Sequence, residues 1–108
     1  MVVTDQAAAV AFLRTAFEAV GDVEPNRPTE VRIGDSLLMV SPSGEREVFP
    51  AFLYIYVDDV AATYQRTLSA GAVTVEAPLD TPYGDRRAMV RDPFGNVYQI
   101  ASRLDITA

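Results

Sequence analysis

The chain has 108 residues, 49% of them hydrophobic, and a formal net charge of −6. That is one domain's worth of sequence, 1–108, and without cysteine or histidine it excludes disulfides, thiolate nucleophiles and the commonest zinc ligands. The only arginine cluster, Arg86-Arg87 with Arg91, sits among Asp85 and Asp92, which argues against nucleic acid, and no run nears the ~20 apolar residues of a membrane span.

Met1-Val2-Val3 reads as a short first strand. Asp5 then suits a helix cap, and Val10, Leu13, Phe17 and Val20 recur at helical spacing up to Gly21, which can end the helix. The segment from Asp22 to Pro28 is poor in strand signal, so the second strand here is expected to be short or irregular. Gly34-Asp35-Ser36-Leu37-Leu38-Met39 reads as turn and strand, and Ser41-Pro42-Ser43-Gly44-Glu45 as a turn-rich connector.

In Phe52-Leu53-Tyr54-Ile55-Tyr56-Val57, strand alternation puts Phe52, Tyr54 and Tyr56 on one face. Leu53, Ile55 and Val57 take the other. Asp59 caps a second helix, whose stripe is Val60, Tyr64 and Leu68 and whose end is Gly71. Asp80 lies beside a Pro-containing turn.

The stretch from Tyr83 to Ile100 reads as two strands joined by a tight turn. Asp92 can accept from the backbone two residues on, Pro93 presets φ, and Gly95 can take positive φ. Gln99 then points away from Tyr98 and Ile100. Of the neighbours Arg86 and Arg87, alternation lets at most one reach any given face.

The chain also repeats itself. Val3, Asp5, Ala7 and Ala8 return as Val57, Asp59, Ala61 and Ala62, and the Gly34–Met39 stretch matches Gly95–Ile100. Each half reads strand, helix, three strands, with the first at about residues 1–46 and the second at about 50–104.

This repeat and the Asp92-Pro93-Phe94-Gly95-Asn96 turn resemble the glyoxalase/bleomycin-resistance/extradiol-dioxygenase (vicinal oxygen chelate) superfamily. The Tyr83-Gly84-Asp85-Arg86 lead-in resembles a metal-poor branch of it. The resemblance covers nearly the whole chain and implies an α+β fold of two βαβββ modules forming a curved sheet. It also implies four metal-ligand positions, two per module, facing a cavity. In the second module these fall on Phe52 and Gln99. In the first, the repeat maps Gln99 onto Leu38 and Phe52 to a place before Met1. Phe and Leu donate nothing, and one Gln carbonyl is a weak ligand. No metal and no other cofactor is therefore expected.

Without histidine or cysteine, acid–base work would fall to Asp, Glu or Tyr. No pair of carboxylates is placed by strand spacing to face another across the cavity. The leading expectation is metal-independent binding of a small organic ligand, aromatic or cationic, in the manner of resistance proteins that sequester antibiotics. The acidic balance favours a cation at long range and also keeps the chain soluble. Phe52, Tyr54, Tyr56, Gln99 and Leu38 are the candidate ligand contacts, with no catalytic residue assigned. For any single ring core packing is the simpler account, and for Gln99 a structural hydrogen bond and a ligand contact both stand. A lyase, isomerase or dioxygenase-like enzyme of the same superfamily, and a non-catalytic interaction domain, are the rivals. A three-residue first strand leaves an open sheet edge, so a homodimer is expected. The lack of cysteine and of a secretory leader fits the cytoplasm.

Overall fold

A computed structural model of the chain describes residues 1–44 and 47–103. The expected module ends at 46 and 104, and Glu45 of the connector, lie outside the described residues. Both halves begin with the same device. Asp5 accepts from the Ala8 amide at 2.9 Å and starts α1 (Gln6–Phe17), while Asp59 accepts from the Ala62 amide at 3.0 Å and starts α2 (Val60–Ser69). Each cap satisfies an amide that the first helical turn leaves without a partner.

The first module is β1 (Val2–Val3), α1, β2 (Thr29–Ile33) and β3 (Ser36–Pro42), with sheet order β1-β3-β2. The second is β4 (Phe52–Tyr56), α2, β5 (Val73–Asp80), β6 (Asp85–Arg91) and β7 (Val97–Arg103), with order β4-β7-β6-β5. In both, the first strand runs parallel to the last and the others are antiparallel. The second module is a full βαβββ unit. The first has two strands after its helix, and an isolated bridge from Val20 to Arg32 stands where β5 stands in the second. Gly21 permits that bridge: its φ is +153°, and a Cβ there would lie 2.5 Å from the Glu30 carbonyl oxygen.

Three sequence expectations need correction. Helix α1 ends at Phe17, four residues before Gly21, because Glu18 adopts the left-handed conformation and its amide closes onto the Arg14 carbonyl. Val20 therefore leaves the helical stripe for the bridge. Ser41 and Pro42 belong to β3, since they lie in register with Val2 and Val3 of β1. The buried face of α2 is Val60, Thr63 and Thr67, with Tyr64 and Leu68 flanking it. The threonines tolerate burial because their hydroxyls are paired. Thr67 donates to the Tyr64 carbonyl at 2.6 Å, and Thr63 accepts from Arg66 at 3.0 Å.

One core serves both modules. Phe12 and Phe17 of α1 pack on the Tyr98 ring of β7, at 5.7 and 5.3 Å between centroids. Val10, Leu13, Val31 and Val40 of the first module share this core with Ala88, Val90 and Ile100 of the second. Arg66 of α2 donates to the Ala16 carbonyl at the end of α1, which ties the helices together. Each sheet thus spends one face on a shared interior. Burying a large apolar side chain there stabilises the fold by about 1.5–3 kcal/mol. The other face of each sheet points away from this core.

Candidate functional site

The outward face of the second sheet is built by register. Phe52, Tyr54 and Tyr56 on β4 lie opposite Val97, Gln99 and Ala101 on β7, which lie opposite Arg91, Met89 and Arg87 on β6. Leu53, Ile55 and Val57 turn to the core side, as alternation predicts. The three aromatic side chains remain exposed at 59%, 46% and 55%. That is unusual for rings set side by side. Tyr54 and Tyr56 are tilted against each other with centroids 5.2 Å apart. Desolvation, then a hydrogen bond with Tyr56, raises the Tyr54 phenol above its ordinary value, which keeps it protonated at physiological pH.

Gln99 lies mid-face, in register with Tyr54 on one side and Met89 on the other. It is only 9% exposed. Its amide has no hydrogen-bond partner among the described residues, and no sealed polar atom is left without one. The amide therefore opens toward the outer side of the sheet. Water can reach the amide there, and a ligand that displaces this water must supply a hydrogen bond in its place.

The arginine pair divides as alternation requires. Arg86 turns to the other face and pairs with Asp80 at 2.7 Å; this hydrogen bond first, and the guanidinium charge with it, lowers the Asp80 carboxyl. Arg87 stays on the outward face, held by Glu76 at 2.9 Å and by the Tyr83 hydroxyl at 2.7 Å. The Glu76 hydrogen bond is the main cause that keeps its guanidinium basic. Both arginines are ion-paired, and Arg87 is the one that reaches the face.

The structure brings Leu38 near Tyr54 and Tyr56 but not onto their face or near Phe52 and Gln99. It lies opposite Val31 on the core side of β3, and its neighbours Leu37 and Met39 point outward. Gly34 and Gly95 each stand two residues before the first paired residue of the following strand, but Ser36 shares the core side with Leu38 and Val40, whereas Val97 shares the outward face with Gln99. Matching the two halves on glycine therefore sets residues of opposite faces level with each other. Leu38 instead joins Tyr54 and Tyr56 around a cleft of about 1010 Å³ between the edge of β4, the end of α1 and the β2–β3 turn. Two polar groups of that cleft are already engaged: Arg66 with Ala16 and Thr63, and Asp59 with its helix. Phe52 and Gln99 lie outside it.

Arg91 and Met89 are outward-face residues that the sequence reading did not assign. Counting back across the turn from Val97 to Arg91 carries the signal, because residues paired across a hairpin share a face.

The model of the Glyoxalase/Bleomycin resistance protein/Dioxygenase superfamily matches residues 1–100. The chain belongs to this superfamily. An uncharacterized protein of Mycobacterium bovis is 32% identical over 93% of the chain and 78% of its own length. The crystal structure of TioX from Micromonospora sp. ML1 superimposes with a TM-score of 0.83 at 25% identity, covering 96% of this chain and 94% of that one. A lactoylglutathione lyase from Agrobacterium tumefaciens shares the fold, with a TM-score of 0.75 at 19% identity over 94% and 88% of the two chains.

Metal-dependent chemistry in this superfamily calls for imidazole or carboxylate donors at the ligand positions, and the residues here do not fit it. Phe52 has no donor, Gln99 offers one neutral amide, and the outward residues of β3 are Leu37 and Met39. Among the described residues no three His, Cys, Asp or Glu side chains gather as a metal site. No helix among them is long and apolar enough to cross a membrane.

Proposed function

We propose that this protein binds a small aromatic molecule without a metal and without turning it over, in the manner of a sequestering resistance protein. The observation that carries the reading is Gln99, a largely buried residue whose amide opens outward with no partner among the described residues, set beside three exposed aromatic rings. A stacked ring adds about 0.5–1.5 kcal/mol beyond area burial, so useful affinity needs several at once. The row of Phe52, Tyr54 and Tyr56 supplies them, and the Gln99 amide gives one directional contact.

The face is open in a single chain, and ligand pockets bury most of their ligand. A second copy of the chain is the proposed lid. Its first-module face presents Leu37 and Met39, both exposed.

The test pairs binding with elemental analysis. A fluorescence titration with aromatic compounds, antibiotics included, is expected to saturate at one ligand per chain, and the purified protein to carry no stoichiometric transition metal. One tightly held nickel, zinc or iron per chain, lost in Gln99→Ala, would overturn the reading.

A further inference from the structure

We infer that the ligand of this face carries an anionic group, a carboxylate, sulfonate or phosphate, bound by Arg91. The inference rests on the small-molecule reading of the same face and narrows its ligand class.

Among the described residues the outward face bears three guanidinium groups, and they are not equivalent. Arg87 is answered by Glu76 and by the Tyr83 hydroxyl. Arg103 sits 5.6 Å over the Tyr56 ring and lies in register with Asp85. Arg91 is exposed, with no ion pair and no side-chain hydrogen bond among the described residues. The chain has 15 acidic residues against nine basic ones, so carboxylates are not scarce. None of the described ones is placed on Arg91.

Position makes this more than a solvated surface charge. Arg91 shares a row with Val97 and Phe52, and the next row holds Met89, Gln99 and Tyr54. Phe52 and Arg91 flank Val97 across two strand spacings, about 9.6 Å, and the Gln99 amide lies between the β4 rings and β6. A flat ring lying on Phe52 and Tyr54 therefore has the Gln99 amide along its edge and the Arg91 side chain, long enough to lean over β7, beyond it. The guanidinium fork matches a carboxylate, sulfonate or phosphate with two parallel N–H donors, and the amide NH2 adds a third.

The overall charge of −6 points the other way, toward a cation. The two effects act over different ranges. Diffuse charge elsewhere on the molecule is screened beyond about 8 Å at physiological salt, whereas a contact pair at the ligand is not. The local arginine decides what binds, and the global charge affects only the approach.

A matched pair of probes tests this on the intact protein: 8-anilinonaphthalene-1-sulfonate, and N-phenyl-1-naphthylamine, which has the same skeleton without the sulfonate. The sulfonate is expected to bind about tenfold tighter, the scale of a charge-assisted hydrogen bond. Arg91→Gln should abolish that preference while leaving the neutral probe's affinity and the melting temperature unchanged. Arg86→Gln, on the opposite face, should keep it. Equal binding of the two probes, or a preference that survives Arg91→Gln, overturns the charge inference alone, provided the neutral probe still depends on Tyr54. If Arg91→Gln breaks up a dimer and the preference persists, Arg91 is an interface residue and the inference is also wrong. If neither probe binds, or Tyr54→Ala has no effect on either, the small-molecule reading falls and this one with it.

Discussion

Asp92 organises the turn that joins β6 to β7. One carboxylate oxygen accepts from the Phe94 and Asn96 amides at 2.8 and 2.9 Å. The other accepts from the Tyr98 hydroxyl at 2.7 Å and from the Asn96 side chain at 3.3 Å. Asn96 in turn accepts from the Ala51 amide at 2.9 Å, which fixes the entry to β4. The turn motif thus holds the aromatic strand in place beside Gln99. Tyr98→Phe should cost about 1.5–3 kcal/mol, because a buried carboxylate loses its best donor. It should also change the response to alkali. Burial first, then the Asp92 charge and the hydrogen bond to it, raises the Tyr98 phenol far above its ordinary value of about 10. Above about pH 10 the unfolded chain releases this proton while the folded chain keeps it, so stability is full below that pH and declines above it. Tyr54 is raised too and shares the slope. Urea unfolding on both sides of about pH 10 should show a shallower alkaline decline in Tyr98→Phe. An unchanged decline would mean that Tyr98 does not carry it.

Among the elements, β4 presents its two faces to different tasks, and paired substitutions can read them separately. Tyr54→Ala removes an exposed ring and should weaken ligand binding by about 1–3 kcal/mol with little change in melting temperature. Ile55→Ala removes a side chain packed on the core and should destabilise by about 1–3 kcal/mol, below the full cost of a wholly buried isoleucine. Thermal melts and affinities of the two variants check this; the reverse result would mean that the faces are exchanged. The assignment was legible in the sequence, because a period of two in Phe52–Val57 needs no tertiary information. Both helix caps, Asp5 and Asp59, were legible for the same reason, as local chemistry. The face of α2 was not. Thr63 and Thr67 count as polar in any apolar stripe, and only their hydrogen bonds back to the helix make them core residues. Glycine matching sets Leu38 level with Gln99 although the strands after the two turns start on opposite faces, which only the pairing of Ser36 and of Val97 shows. For Arg91 the turn offered a signal, since residues paired across a hairpin share a face, but using it required knowing that Arg91 pairs with Val97.

At the scale of the whole molecule, the packing leaves two outward sheet faces that meet only at the cleft where Leu37 approaches Tyr54 and Tyr56. Helix α1 of the first module lies on the core side of the second module's sheet, through Phe12 and Phe17 against Tyr98. The outward faces are therefore directed away from a common interior. Both carry exposed apolar side chains beside charged ones: Leu37 and Met39 with Glu30 and Arg32 on one, Phe52, Tyr54 and Tyr56 with Arg91 and Arg103 on the other. Contiguous exposed apolar patches of this kind mark contact sites. A two-fold axis that sets the first-module face of each copy over the second-module face of the other covers all of them and builds two equal, enclosed cavities. Such a pairing also places a lid over Gln99, which a single chain lacks. Light scattering at micromolar concentration should give a dimer. Met39→Glu puts a charge into the proposed contact without touching the shared core, and it should shift the protein to monomer with its melting curve still cooperative. Ligand affinity should fall in the same variant, because the lid is lost with the partner. A wild-type monomer at that concentration would rule the assembly out. A Met39→Glu dimer of undiminished affinity would show that the copies meet through some other surface.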